Sequence, residues 1–179
     1  AYVLNKLGLE HLILLYDNKT TTLKSLPDDT QNYFKKLSGY DTLRLVLAKK
    51  AILVEGPSDE LIVQKAYLQK YEKLPIENGI DVINVRGLSF SRFLDIAREL
   101  KKDVVVVTDN DGDYENKVDK KYESYKEFSS IKICRSDDNS ASTLEPQLIK
   151  CNSLEVLNKV LGTSYKTVAD LEEYMRKKS

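Results

Sequence analysis

Acidic side chains stand directly after two apolar runs of this sequence, and their types and spacing indicate metal chemistry. Glu55 follows the run KAILV, and Asp109 and Asp111 follow the run DVVVVT. Several unpaired carboxylates at one place repel one another and raise each other's pKa. A divalent cation removes that repulsion, and Mg²⁺ and Mn²⁺ prefer oxygen ligands. The pattern therefore predicts a carboxylate site for Mg²⁺ or Mn²⁺.

Each of these acids also has a purely structural explanation, which the local sequence leaves open. Glu55 could be a surface acid in a loop, and Asp59, in the first turn of the helix after Gly56-Pro57, could complement the helix dipole. The segment 109–113 could be an exposed acidic turn, because Asp, Asn and Gly are common turn formers. Glu145 follows a later strand, and its local sequence favours an acid at a helix N-terminus.

The elements predicted around these acids form a parallel α/β sheet. Apolar runs alternate with helical stretches, and the runs ILV and VVVV lack polar alternation, which is typical of strands buried on both faces. The predicted strands are 50–54, 81–85, 103–108 and 131–134, and the helices are 58–71, 89–100, 144–149, 153–161 and 168–177. Ligands of open parallel sheets collect at the carboxyl ends of the strands. The sequence therefore predicts that Glu55 and Asp109 meet at one edge.

Two other regions complete the predicted organisation. A hairpin is predicted near the start, with a short buried strand at 11–16 and a second strand at 20–23, followed by helices at 28–37 and 41–47. The charge-rich stretch 114–128 is predicted to be a helix or an exposed loop that faces solvent.

Composition excludes several kinds of chemistry. The 28 basic and 28 acidic residues balance, so a nucleic-acid enzyme of this composition must concentrate its basic residues on one face or use another domain's. The single histidine, His11, argues against Ser-His-Asp and Cys-His nucleophilic sites. Cys134 and Cys151 lack CxxC spacing, which argues against a zinc site and favours reduced thiols in a cytosolic protein. No apolar run approaches the ~20 residues of a membrane helix.

The segment 109–113 can also be compared with two motifs of different chemistry. A calcium loop of the EF-hand kind needs Gly at its sixth position and Glu at its twelfth, where this sequence has Tyr114 and Lys120. A phosphoaspartate phosphatase with a DxD nucleophile motif explains Asp109 and Asp111 but leaves Glu55 without a role.

Three motifs in order, ILVEGPSDE, VVVVTDNDGD and STLEP, resemble the Toprim nuclease domain of the OLD (overcoming lysogenization defect) family. In that family a Toprim domain follows an ABC-type ATPase domain, and residues 1–24 resemble the last strands of that ATPase. The sequence has no initiator Met, as a fragment or a processed chain would, and the resemblance implies a C-terminal fragment. It has no Walker A motif, so the ATP hydrolysis of that family would belong to a part outside it. The resemblance implies an ATPase tail with linker helices at 1–47, a Rossmann-like Toprim domain with a four-stranded, mainly parallel sheet at 48–150, and a helical extension at 151–179.

The resemblance also implies roles for matching residues. Those implied to hold metal or metal-bound water are Glu55, Asp59, Asp109, Asp111 and Glu145, with Asp113 as an outer-sphere candidate. Glu55, Asp109 and Asp111 are the implied catalytic residues, and Glu55 could also act as the general base. A lysine beyond the LEEYM segment contacts the scissile phosphate in that family, so either Lys178 is that residue or the lysine lies past the end.

The activity that follows is phosphodiester hydrolysis by a two-metal site with Mg²⁺ or Mn²⁺. The implied partners are DNA, contacted mainly through its backbone, and the ATPase domain of the parent chain, with ATP used only there and a possible homo-oligomer through missing regions. Phage defence is suggested by the resemblance alone. The alternatives are another Toprim activity, such as an RNA-processing nuclease or a topoisomerase, and a non-catalytic module that binds metal or nucleic acid.

Overall fold

A four-stranded parallel sheet and seven α-helices are found in the part of the chain that the structure, a computed structural model, describes: residues 8–16, 19–36, 40–86 and 89–177. The strands are β1 (Ile13–Tyr16), β2 (Lys19–Thr22), β3 (Lys50–Val54), β4 (Ile80–Asn84), β5 (Asp103–Val107) and β6 (Ile131–Cys134). The helices are α1 (Asp28–Lys36), α2 (Tyr40–Leu47), α3 (Pro57–Tyr71), α4 (Phe90–Glu99), α5 (Leu144–Cys151), α6 (Leu154–Leu161) and α7 (Val168–Arg176). None of these helices is long and apolar enough to cross a membrane.

The strand order β4-β3-β5-β6, with every neighbouring pair parallel, confirms the predicted fold class. From β3 the chain moves outward to β4, and it then passes back beyond β3 to reach β5. Because such connections are right-handed, this reversal places α3 and α4 on opposite faces of the sheet. The strand order therefore changes direction between β3 and β5, which is where open α/β sheets bind their ligands.

Only one face of the sheet is well buried at β5, whereas the sequence predicts burial on both faces. On β5, Val104 and Val106 are buried, whereas Val105 and Val107 on the other face keep part of their surface exposed. Helix α4 contacts β5, and its Phe93 and other apolar side chains are buried. The prediction that this strand is buried on both faces therefore holds for only one of them.

Helix α3 carries its apolar side chains on the outside. Leu61 is 69% exposed, and no residue of the helix is fully buried. Its inward side is held largely by polar contacts, including the Asn84 amide, which donates to Glu60 Oε2 at 2.6 Å. The helical spacing in the sequence predicts the helix, but it does not distinguish the buried side from the exposed one.

The predicted hairpin is present as the antiparallel pair β1 and β2. Its first strand was predicted to be buried, and this is wrong, because Ile13 and Leu15 are 62% and 80% exposed. An apolar run predicts a strand, but it does not show whether another part of the protein covers that strand.

The charge-rich stretch 114–128 is more ordered than predicted. It contains a π-helical turn at Glu115–Asp119 and a 3₁₀ turn at Glu123–Tyr125. Val118, Tyr122 and Tyr125 are buried, so the prediction of a solvent-facing segment is wrong for these side chains. Tyrosines among lysines and glutamates look polar in sequence, yet their rings are large enough to enter a core.

The chain divides into two compact units. Unit 1 holds residues 1–108 and 122–134, and unit 2 holds residues 109–121 and 135–179. All six described strands and helices α1 to α4 belong to unit 1, whereas α5 to α7 belong to unit 2. The domain limits predicted from sequence, at 47/48 and 150/151, stay a prediction.

Candidate functional site

In unit 1, Glu55 is fixed at the carboxyl edge of the sheet by a neighbouring strand. Glu55 follows β3 directly, and Thr108 is the first residue after β5, the strand beside it. The Thr108 hydroxyl donates to Glu55 Oε1 at 2.6 Å. The glutamate side chain is only partly exposed. This carboxylate therefore has a defined position at the point where the strand order changes direction.

Asp59 serves the start of α3. Its Oδ2 accepts the backbone N–H of Gly56, the N-cap residue, at 3.1 Å, and Pro57 is the first residue of the helix. Proline suits this position because it lacks the N–H that would have no partner there. Asp59 lies in the first turn of α3, where the helix-dipole explanation places it, and it also caps the helix. A metal-binding role stays a prediction.

Sequence reasoning missed two polar side chains at the same edge of unit 1. Asn84 ends β4, and its amide donates to Glu60, which lies in the first turn of α3. The buried Asn84 Oδ1 has no hydrogen-bond partner in the described part of the chain. The available signal was position, because Asn84 is the polar last residue of a strand that neighbours β3.

In unit 2, the segment 109–113 forms a turn organised by Asn110. This side chain is fully buried, whereas Asp111 is exposed and Asp109 is partly exposed. Asp111 and Gly112 have positive φ angles of 50° and 78°. Two successive residues in this conformation reverse the chain sharply, and glycine accepts it at no steric cost. The turn explanation is therefore correct as geometry, and it does not exclude ligand binding.

Asp113 is engaged inside unit 2. Its carboxylate accepts hydrogen bonds from the side-chain amide and the backbone N–H of Asn116, at 2.8 and 3.2 Å. These bonds to the charged form lower the pKa of Asp113 below its usual value. The outer-sphere role considered for it stays a prediction.

Glu145 lies in the first turn of α5, as expected for an acid at a helix N-terminus. Its Oε2 accepts the Thr143 hydroxyl at 2.9 Å. The segment just before this helix is bound to the 109–113 turn, because the Asn110 backbone N–H donates to Ser142 O at 3.2 Å. Unit 2 thus connects the Asp109–Asp111 turn with the segment that leads into Glu145.

Four basic residues near the strand ends, Arg86, Lys101, Lys102 and Arg135, have different surroundings. Lys101 and Lys102 precede β5 and so lie at its amino end, away from Thr108, and Lys102 Nζ donates to Ala48 O at 2.6 Å. Burial lowers the pKa of this lysine. Arg135 pairs with Asp119 at 2.8 Å, and that carboxylate raises its pKa. Arg86 is exposed after β4, and Lys178 lies outside the described residues.

The donor chemistry at these positions suits a hard divalent cation. Carboxylate, hydroxyl and amide oxygens are supplied by Glu55, Thr108 and Asn84 in unit 1 and by acids of the 109–113 turn in unit 2, and Mg²⁺ and Mn²⁺ favour such ligands. No three His, Cys, Asp or Glu side chains of the described residues are grouped closely enough to hold a metal ion. The five predicted ligands are divided between units, with Glu55 and Asp59 in the first and Asp109, Asp111 and Glu145 in the second.

A family model matches part of this chain. Residues 46–111 match the model described as "Overcoming lysogenization defect protein-like, TOPRIM domain". This match supports a Toprim domain of the OLD family at residues 46–111, which hold the first sequence motif and most of the second, whereas the STLEP motif lies beyond the matched segment. No curated protein and no solved structure matches the chain.

The matched segment runs from the end of α2 to Asp111. It includes Glu55, Asp59 and Asp109, and it ends before Glu145. Toprim domains bind divalent metals and act in nucleic-acid processing, so the match supports a metal-binding domain of that general kind. The individual ligand roles and the reaction stay predictions.

Proposed function

We propose that this chain is the nuclease domain of a larger OLD-family protein and that it hydrolyses DNA phosphodiester bonds with Mg²⁺ or Mn²⁺. The observation that supports this most directly is the Thr108–Glu55 hydrogen bond. This bond fixes the Glu55 carboxylate where the strand order of the sheet changes direction. Asp109 is the residue that follows Thr108 in the chain. The Asp109–Asp111 pair offers further carboxylate oxygens, which are ligands that Mg²⁺ and Mn²⁺ prefer.

Each residue has a proposed role in the reaction. Two ions would be held by Glu55, Asp109, Asp111 and Glu145. Asp59 would be a further ligand when its carboxylate no longer accepts the backbone N–H of Gly56. Bound divalent cations supply Lewis-acid activation of water and stabilise negative charge on the leaving oxygen. Glu55 would accept the proton of the attacking water, because its carboxylate is held in place at a partly exposed position.

The proposed substrate contacts are mainly to the DNA backbone. The whole chain has no net charge, so the affinity for DNA would depend on local basic residues and on the ATPase domain of the parent protein. ATP would be used only by that domain, and a homo-oligomer would form through regions outside this chain. We place the protein in the cytoplasm with a role in phage defence, as the family resemblance implies.

A non-catalytic binding module is the second candidate function. It is favoured by the finding that no three potential metal ligands are grouped within the described residues. In this case the chain would bind metal or nucleic acid through some of the same residues without cutting. Cleavage and metal binding must therefore be measured separately.

The test is cleavage of supercoiled plasmid by this chain with Mn²⁺, Mg²⁺ or EDTA. Asp109→Ala/Asp111→Ala is compared with Glu123→Ala/Glu127→Ala, which removes two exposed acids outside the predicted site. An equal amount of single-stranded RNA in a parallel reaction separates DNA from RNA cleavage.

Metal-dependent nicking that only the first double variant abolishes would support the nuclease. Mn²⁺ binding that this variant removes, without any cleavage, would support the binding module. The absence of both cleavage and Mn²⁺ binding would contradict the proposed site.

A further inference from the structure

We infer that Asn110 is a positioning residue that sets the geometry of the carboxylate site, an inference that rests on the proposed function. Asn110 stands between Asp109 and Asp111 in sequence, and its own side chain points into the protein. It is 0% exposed, one of few polar residues so completely buried in the described chain. A buried amide must find its partners inside the protein, because an unsatisfied polar group costs about 1–3 kcal/mol.

The Asn110 side chain uses both ends of its amide within unit 2. Its Nδ2 donates to two carbonyl oxygens, Ser136 O and Asp138 O, each at 3.0 Å. Its Oδ1 accepts the backbone N–H of Gly112 at 2.9 Å. One side chain therefore holds the turn that carries Asp111 and also holds the segment after β6.

The backbone of Asn110 adds two more bonds. Its N–H donates to Ser142 O at 3.2 Å, and its carbonyl accepts the N–H of Asp113 at 3.0 Å. Ser142 is three residues before Glu145. The same residue consequently fixes the two flanking aspartates and connects them to the start of α5.

An amide is needed at this position for a chemical reason. Asparagine provides two N–H donors and one carbonyl acceptor on the same planar group, which matches two carbonyl oxygens on one side and one N–H on the other. Aspartate has nearly the same shape, but an ionised carboxylate has no donor and would face two carbonyl oxygens. The Asp109–Asn110–Asp111 order thus separates two exposed or partly exposed acids by one buried amide.

The effect of such a positioning residue can be measured as a change in metal affinity. Removing a group that orients metal ligands commonly weakens metal affinity by about 10- to 100-fold. Asp111 needs such support because its φ of 50° is unusual for a residue with a side chain. We therefore expect Asn110 variants to bind Mn²⁺ that much more weakly while the aspartates remain unchanged.

The test compares Asn110→Ala, Asn110→Asp and Asn110→Ser with Asn158→Ala in the full chain. Asn158 is a matched control, because its amide also makes three contacts in unit 2: it donates to Tyr165 O and accepts from Tyr165 N–H and the Thr163 hydroxyl. Thermal unfolding gives the loss of stability of each variant. Mn²⁺ affinity is read from the electron paramagnetic resonance signal of free Mn²⁺, and amide exchange at Gly112 reports on the turn itself.

Weaker Mn²⁺ binding by 10-fold or more in the Asn110 variants, faster exchange at Gly112, and a change below about twofold in Asn158→Ala would support the inference. Wild-type affinity in the Asn110 variants would overturn it while leaving the proposed function intact. Equal weakening by Asn158→Ala, or failure of all three Asn110 variants to fold while Asn158→Ala folds, would also overturn it, because the role would then be general stability. If wild-type protein binds no Mn²⁺, the proposed function fails first and the inference fails with it.

Discussion

The Thr108 hydroxyl and the Glu55 carboxylate form a 2.6 Å hydrogen bond between the ends of two neighbouring parallel strands. This bond is not a feature of either sequence motif alone. It arises because the strand order β4-β3-β5-β6 places the residue after β3 beside the residue after β5. The position of Glu55 therefore depends on a residue more than fifty positions away in sequence.

We expect Thr108→Val to impair the proposed reaction and Thr108→Ser to preserve it. Valine keeps the shape of threonine and removes the hydroxyl, so Glu55 loses the donor that orients its carboxylate. Plasmid nicking with Mn²⁺ should fall by about 10- to 100-fold in the valine variant, and the serine variant should remain within a few-fold of wild type. Equal activity of all three proteins would show that this hydrogen bond does not orient a reacting group.

Glu145→Gln should weaken Mn²⁺ binding, whereas Glu155→Gln should not. The two glutamates are matched controls because each is the second residue of its helix, α5 and α6. Both changes remove the same small interaction with a helix dipole, about 0.3–1 kcal/mol. Any difference in Mn²⁺ affinity therefore belongs to the metal role of Glu145. Titration of Mn²⁺ with each variant measures it, and identical affinities would leave Glu145 as a helix-terminal acid only.

Gly112→Ala should lower both stability and Mn²⁺ affinity. Its φ is 78°, and a methyl group there would meet only Asn139 O at 3.9 Å, so the cost is backbone strain of about 1–2 kcal/mol. Gly162→Ala is the control, since its φ is 66° and nothing lies within 4 Å of the added carbon. Urea unfolding should show similar losses for both, and only Gly112→Ala should reduce Mn²⁺ affinity. A loss of affinity in both variants would indicate an indirect effect of stability.

Tyr125→Phe should destabilise unit 1. The Tyr125 hydroxyl donates to the buried Asp95 Oδ1 at 3.0 Å, and burial together with this carboxylate raises the pKa of the phenol. Removing the donor leaves a buried carboxylate with fewer partners, so the free energy of unfolding should fall by about 1–3 kcal/mol. Tyr71→Phe, at a half-exposed ring, should change it by less than about 0.5 kcal/mol. Equal effects in urea unfolding would contradict the assigned role of the Asp95 contact.

Acid stability should depend on Lys150 through Asp138. Hydrogen bonds from Lys150 and Ser140 lower the pKa of Asp138 to about 2 from its usual 3.8. Because the folded-state pKa is depressed, the ionised carboxylate stabilises the fold fully above pH 3.8, and this contribution is lost as the pH falls towards 2. NMR titration of Lys150→Met should return the pKa of Asp138 towards 3.8. Lys177→Met, which breaks the ion pair with Glu173, should leave Asp138 unchanged.

The sequence predicts the sheet well because its strands differ strongly from their surroundings. The run of four valines before Thr108 is too apolar for a surface segment, and the strand, its parallel pairing and its position before Asp109 are all found in the structure. The Glu55 motif was equally informative, because proline after a strand that ends in Glu-Gly favours the start of a helix. Local sequence is sufficient where backbone conformation and burial agree.

The rest could not be predicted, because it depends on contacts between distant segments. The role of Asn110 was missed since Asn in an Asp-rich turn is typical of a solvent-exposed turn former, and only the three-dimensional structure brings Ser136 and Asp138 to its amide. Tyr125 was assigned to a solvent-facing stretch because its neighbours in sequence are charged. In both cases the deciding partner lies between 26 and 30 positions away.

The chain crosses between the two units after Thr108, after Lys121 and after Cys134. For chimaeras made from related proteins, a single breakpoint between residues 112 and 134 would give unit 2 one parent for the Asp109–Asp111 turn and another for Glu145. Recombinants that take each unit whole from one parent must therefore carry three exchanges, after Thr108, after Lys121 and after Cys134. Asn110 must also come from the same parent as Ser136 and Asp138, because these hydrogen-bonded partners lie on the opposite side of the 122–134 segment.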